Sequence, residues 1–228
     1  MAIAYTITAS EPVNQQIYRF LRREIVTCEI PPGALLSEKE ISVRFTVSRQ
    51  PVREAFIKLS EAGLVEIRPQ RGTYVRKISA RRVADGRFIR EAVESAVVRR
   101  AANEITPQFL MRLDHNIEMQ KLAAAQQDSQ GFLQLDDEFH SLIAQSIDCT
   151  LAWETVENIK ATMDRVRYLT LAEVSPPEEL INEHQRILAA IKAGDADGAE
   201  GAIRRHLQTL IFSLTPIAER NDDWFEED

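Results

Sequence analysis

Residues 35–75 read LLSEKEISVRFTVSRQPVREAFIKLSEAGLVEIRPQRGTYV, and the order of signals in this stretch decides the fold of the first third of the chain. Ser37-Glu38-Lys39-Glu40 is an S-x-x-E capping box and opens a short helix with Ile41 and Phe45 facing inward. Thr46-Val47-Ser48 makes a turn, and Ser48 is placed to cap a helix from Arg49 to Glu61. The apolar face of that helix is Val52, Phe56 and Leu59, and Gly63 ends it. Two short helices across a tight turn, the second polar at its start, form a helix-turn-helix. Leu64–Ile67 and Thr73–Val75 are two β-prone runs around Arg68-Pro69-Gln70-Arg71-Gly72, a hairpin with a basic, glycine-ended tip. Upstream, Val13, Ile17, Phe20, Leu21 and Ile25 recur at three- and four-residue steps. They predict an amphipathic helix from Pro12 to Thr27, stopped by Pro31-Pro32-Gly33. Three helices and a hairpin wing make a winged helix-turn-helix.

Each part of that unit carries groups suited to DNA. The start of the third helix presents Ser48, Arg49, Gln50 and Arg53. Arginine pairs bidentately with guanine edges and glutamine with adenine. A serine hydroxyl and the free N–H groups of a helix N-terminus hold a phosphate. Lys39 falls where the second helix would cross the DNA backbone, and Arg71 with Gly72 would let the wing tip approach a groove closely.

The charge distribution agrees. The 228 residues carry a formal net charge of −7. Residues 1–78 nevertheless hold 12 basic and 8 acidic side chains, against 16 and 27 in residues 79–228. A basic first third on an acidic remainder reads as two domains, 1–78 and 79–228, with different partners. At 44% hydrophobic and 28% charged residues, the chain has ordinary globular usage rather than that of a disordered or collagen-like protein. No apolar run approaches the ~18 residues of a membrane-spanning helix, and MAIAYTITASEP lacks the basic and apolar regions of a secretory signal. Cys28 and Cys149 stand far apart without a partner motif, which fits a reducing cytoplasm and half-buried packing roles. The acidic tail NDDWFEED, 221–228, is expected to fray.

From residue 79 onward no strand is evident. Arg81–Asn103 reads as a helix with Phe88, Val93, Ala96 and Val97 available to a core. Thr106-Pro107 starts a helix carrying Phe109, Leu113 and Ile117, and Phe132–Ile147 and Leu151–Leu171 are two more. Ser175-Pro176-Pro177-Glu178 is a second capping box, opening a helix that ends at Gly194. Asp197, with Glu200 three residues on, leads the last helix, which turns Ile203, Leu207 and Leu210 inward. Short loops between these helices predict an all-α antiparallel bundle of six or seven helices, so the chain as a whole is mainly α.

Three of the four histidines lie on apolar helix faces of this bundle. Asp136 and His140 are four apart and so share one side of their helix. His184 lies among Leu180, Ile187 and Leu188, and His206 among Ala202, Ile203 and Leu210. Buried separately, each of these four polar groups would need its own partner. Converging on one metal ion satisfies all of them, and three imidazoles with a carboxylate suit zinc or nickel. His115 has no such setting and is expected to be exposed. Enzymatic signatures are absent: there is no H-E-x-x-H pattern, phosphate-binding loop or nucleophile elbow. Glu183 and Glu138, the acids nearest these histidines in sequence, lie off the histidine-bearing faces of their helices.

VSRQPVREAF closely resembles the recognition-helix motif of the GntR family of bacterial transcription regulators, with Phe56 in place of the commoner leucine. The likeness implies that Lys39, Ser48, Arg49, Gln50, Arg53, Arg71 and Gly72 contact double-stranded operator DNA, with Gln50 at a position that tunes operator choice. LDDEFH, EHQRILAAIKAGD and RRHL resemble the metal motifs of the FCD domain carried by the FadR-type branch of that family. That likeness implies a divalent metal held by Asp136, His140, His184 and His206, zinc before nickel or manganese. It also implies a small organic-acid or sugar-acid effector beside the metal, a cytoplasmic homodimer, and repression of transcription rather than catalysis. Arg90, in FIREAVESAVVRRAA, matches a family position that faces the effector cavity; Arg165 and Arg167 are further candidates. Asp148-Cys149-Thr150 departs from the family pattern in one interhelical loop.

Overall fold

The computed structural model describes residues 7–171, 176–212 and 218–226. They fall into two compact units, Met1–Ala80 with Ala218–Asp228, and Arg81–Ile217.

The first unit contains α1 (Val13–Val26), β1 (Leu35–Leu36), α2 (Glu38–Arg44), α3 (Arg49–Glu61), β2 (Val65–Arg68) and β3 (Gly72–Val75). Ile17, Leu21 and Ile25 of α1 pack with Val52, Phe56 and Leu59 of α3 in a buried core. The three- and four-residue spacing puts each set on one helix face. The Phe20 and Phe45 rings stack at 5.7 Å, closing α1 over α2. Glu24, buried on α1, is neutralised by the Arg44 guanidinium of α2. Ser37 Oγ accepts the Glu40 N–H, as a capping box requires. Gly63 ends α3 at φ +72, and the Leu64 N–H reaches back to the Leu59 carbonyl.

β2 and β3 pair antiparallel from Val65–Val75 to Arg68–Gly72. The two-residue strand β1 adds to β3 on the other side, giving the order β1-β3-β2. Gly72 sits at φ +107, and a Cβ there would lie 2.7 Å from Leu35 Cδ1. The added strand therefore requires glycine at the base of the wing independently of any approach to DNA.

The tail departs from its expected fraying. Asp222–Trp224 forms a single 3₁₀ turn, and Phe225 is buried and bridges in parallel to Ile78. Ile78 N–H donates to the Trp224 carbonyl and Glu226 N–H to the Ile78 carbonyl, at 2.8 and 2.9 Å. An acidic composition predicted solvation, but one aromatic residue at the right register pins the segment.

The second unit is built from α4 (Ala80–Glu104), α5 (Pro107–Ala125), α6 (Ser129–Gln145), α7 (Thr150–Thr170), α8 (Pro177–Lys192) and α9 (Ala196–Phe212). Leu113, Ile117, Phe132, Phe139, Ile187 and Ile203 lie in its continuous apolar core. Three local expectations are corrected. Phe88 and Ala96 of α4 are exposed, because the buried stripe runs Val83, Gly86, Arg90, Glu94, Val97 and Ala101 and turns an ion pair inward. α6 begins at Ser129, three residues before the expected Phe132, because Asp128 caps it by accepting the Gly131 N–H. The cap of α9 is Asp195, which accepts the Gly198 N–H, while Asp197 and Glu200 instead bind Arg99. The expected capping serine, Ser175, lies outside the described residues, as does the side chain of Leu210. No helix among the described residues is long and apolar enough to cross a membrane.

Candidate metal centre and nucleic-acid interface

Three helices bring the four ligand candidates together. α6 carries Asp136 and His140 one turn apart, α8 carries His184 and α9 carries His206, and all four are buried. One ligand atom from each lies within 4.8 Å of the others. His140 Nε2 is 3.2 Å from His206 Nε2, and His184 Nε2 is 3.5 Å from Asp136 Oδ1.

A side-chain oxygen lies at the outer edge of each of the three imidazoles. Glu94 Oε2 of α4 lies 2.5 Å from His140 Nδ1, a close charge contact outside hydrogen-bond geometry. Gln120 Oε1 of α5 lies 2.8 Å from His184 Nδ1, and Glu183 Oε2 of α8 lies 2.8 Å from His206 Nδ1. With the three Nδ1 atoms turned toward these oxygens, two of them hydrogen-bonded, the Nε2 atoms face one another. This is the orientation that metal-binding histidines take when an outer acceptor fixes the ring. Asp136 is divided in the same way: Oδ2 is bound by Arg167 of α7, while Oδ1 makes no hydrogen bond. His184 Nε2 is likewise buried without one. Buried polar atoms left unbonded are costly unless something else satisfies them.

The protonation states suit a cation. Burial pushes His184 well below the usual imidazole range, and the neighbouring His206 adds to this. Burial also lowers His140, against the opposing pull of Glu94. Burial alone would raise Asp136, but the Arg167 guanidinium beside it outweighs this and holds the carboxyl well below the carboxylate range. Neutral imidazoles and an ionised carboxylate are the forms that bind zinc and similar ions. The residues therefore fit a divalent metal.

Arg90 is buried on α4, with its Nε bound to Glu94 Oε1, while its Nη2 makes no hydrogen bond. Beside Glu94 and His140 lies a small apolar pocket, walled by Val97, Trp153, Val156 and Ile203. The Trp153 ring lies parallel to His140 at 6.4 Å. Arg167 is committed to Asp136 and Asp137 and so serves the ligand rather than an effector. Arg165 is fully buried. Lys160, buried and bound to Asp137 and Asp164, completes a charge network that sequence reasoning did not anticipate. His115 is exposed. Cys28 and Cys149 are free, half-buried thiols.

On the winged-helix unit, Lys39, Ser48, Arg49, Gln50, Arg53, Arg71 and Gly72 are all exposed. Ser48 occupies the N-cap of α3 with extended backbone, yet its hydroxyl makes no capping bond. Arg53 is held in a two-point pair by Glu38 of α2, Nε to Oε1 and Nη2 to Oε2, each 3.0 Å. Gln50 donates to Glu54. Both side chains are thus preset by acidic neighbours.

The chain matches two families: "Bacterial regulatory proteins, gntR family" over residues 13–75 and "FCD domain" over residues 87–209. It is 53% identical over 228 residues to the HTH-type transcriptional repressor RspR of Escherichia coli, covering all of both chains. PVNQQIYR, DRVRY and the Trp224-Phe225 pair already resemble that protein at finer grain. The chain is 29% identical over 203 residues, 87% of each chain, to a probable D-xylose utilization operon transcriptional repressor of Paenarthrobacter nicotinovorans. Among solved structures, E. coli McbR/YncC superposes with a TM-score of 0.79 at 23% identity, covering 91% of this chain and 99% of that one. This last likeness concerns the fold.

Proposed function

The chain belongs to the gntR family of bacterial regulatory proteins, in its FCD-bearing branch, and from that premise we propose that it is a metal-dependent, acid-responsive transcription repressor. The family is one of regulators rather than enzymes. DNA binding is assigned to residues 1–78, and effector binding and dimerisation to the helices that follow. A homodimer presents two α3 helices to the half-sites of a palindromic operator, in the cytoplasm where that DNA lies. Arg49, Gln50 and Arg53 read base edges; Lys39, Ser48, Arg71 and Gly72 meet the backbone and groove.

Asp136 Oδ1 and the Nε2 atoms of His140, His184 and His206 would hold the metal. Zinc is the first choice, with nickel or manganese as alternatives, and such an ion supplies a Lewis-acidic centre for carboxylate oxygens. Arg90 Nη2 supplies a charge-assisted donor to a small organic-acid or sugar-acid effector. An acid that prefers the non-binding arrangement of the dimer shifts the population toward it and releases the operator.

The observation that carries this reading is the convergence of four buried ligand atoms whose outer partners already orient them. Elemental analysis of the full chain purified without chelator, beside His140→Ala, tests it. The expected result is about one equivalent of metal per chain, lost in the variant. No metal in either protein would overturn the metal-dependent sensor. Gel retardation with the DNA upstream of the chain's own gene, repeated with a panel of carboxylic acids, then tests the regulator itself.

A further inference from the structure

The Glu94 carboxylate faces two ways. Its Oε1 accepts from Arg90 Nε one turn earlier on α4, and its Oε2 lies 2.5 Å from Nδ1 of His140 on α6. All three side chains are more than nine-tenths buried.

This arrangement differs from that at the other two imidazoles. Gln120, behind His184, is a neutral amide that continues into Asn116 and Glu138. Glu183, behind His206, is one-fifth exposed. Only at His140, among the described residues, is the outer acceptor a buried carboxylate anchored by a buried arginine. A carboxylate behind a ligand imidazole fixes its ring and raises its basicity, and an arginine on that carboxylate fixes the carboxylate in turn.

We propose that Glu94 is a positioning residue for the metal centre, and that Arg90 acts on the metal site through it, so that Arg90, Glu94 and His140 form one relay. The inference rests on the metal reading above. It assigns Arg90 two roles: Nε belongs to the relay, and the buried Nη2, which makes no hydrogen bond, is the atom left to meet an effector carboxylate. A carboxylate arriving at Nη2 shares the guanidinium with Glu94. Bound acid and bound metal thereby become linked, and linkage between two bound ligands is reciprocal.

The test is Zn²⁺ affinity of the full chain, by competition with a chromophoric chelator. The variants are Glu94→Gln, Arg90→Gln and the double substitution, with far-UV circular dichroism and melting as folding controls. Glutamine keeps the shape and an acceptor oxygen but removes the charge. Glu94→Gln is expected to weaken Zn²⁺ about 10–100-fold, and Arg90→Gln to weaken it less. In the Glu94→Gln background, Arg90→Gln should weaken it no further, because its effect passes through Glu94. A loss caused only by looser packing would add in the double variant, and that result overturns the relay. Unchanged affinity in Glu94→Gln, with His140→Ala abolishing binding, overturns the positioning role and leaves the metal centre intact. Failure of the unsubstituted chain to bind Zn²⁺ overturns the metal reading itself.

Discussion

Replacing Phe225 by alanine separates a docked tail from a frayed one. The ring is 6% exposed and sits beside Ile78, which is fully buried. Two backbone hydrogen bonds, Ile78 N–H to Trp224 O and Glu226 N–H to Ile78 O, depend on that register. A buried aromatic removes roughly 150–250 Å² from water, which at ~25 cal/mol/Å² is about 4–6 kcal/mol. That range is an upper bound, because the unfolded chain already hides part of the surface. Core Phe→Ala substitutions cost about 3–5 kcal/mol, and a site at the chain's end relaxes more easily than a deep one, so about 3 kcal/mol is expected. The loss falls on docking of the tail rather than on the α1–α3 core, since undocking is a local opening that needs no global unfolding. At about 1.4 kcal/mol per decade, the open population rises roughly 100-fold. Amide hydrogen exchange reads this directly. The Ile78 and Glu226 amides should exchange about 100-fold faster in Phe225→Ala, while amides within α3 keep their rates. Unchanged protection at Ile78 would refute the assignment of Phe225 as the anchor. Equal acceleration throughout α1–α3 would show that the tail is part of the folding core instead.

Four further substitutions have definite expected outcomes. Arg167→Met leaves Asp136 buried without its main counter-charge. Breaking such a pair costs about 3–5 kcal/mol, so urea denaturation with chelator present should show that loss, and saturating zinc should restore much of it; equal stability with chelator would contradict the pairing. Gly72→Ala combines φ +107 with a Cβ 2.7 Å from Leu35 Cδ1. It should destabilise the winged-helix unit by more than ~1 kcal/mol, measured as a lowered Tm that Leu35→Ala partly rescues. Arg53→Ala removes an exposed pair with Glu38, so its Tm should stay put while operator affinity falls about tenfold and specificity relaxes; Lys39→Ala should instead weaken all DNA sequences alike and lower the salt slope by about one.

The sequence was most legible where periodicity and a short motif agreed. Ser37 to Glu40 and Val52, Phe56 and Leu59 are found as read, because capping and burial there are settled within one helix. Asp136 and His140 were legible for the same reason, being one turn apart. What escaped was decided between elements. Glu183 lies about 100° round α8 from His184, yet it serves His206 on α9. Glu94 and Gln120 reach His140 and His184 from other helices, so no spacing within the sequence announces them. Phe88 misled for the converse reason. It is among the most apolar residues in its stretch, but the inward face of α4 is fixed by Arg90 and Glu94, whose burial only the cluster on α6 explains. β1 is two residues long and has no periodicity to read.

The residues around the cluster come from every helix of the second unit. α6, α8 and α9 give ligands, α4, α5 and α8 hold the imidazoles, and α7 holds Asp136 through Arg167. A change in what the centre binds cannot be absorbed by one helix alone, since each orienting contact ties a second helix to a ligand-bearing one.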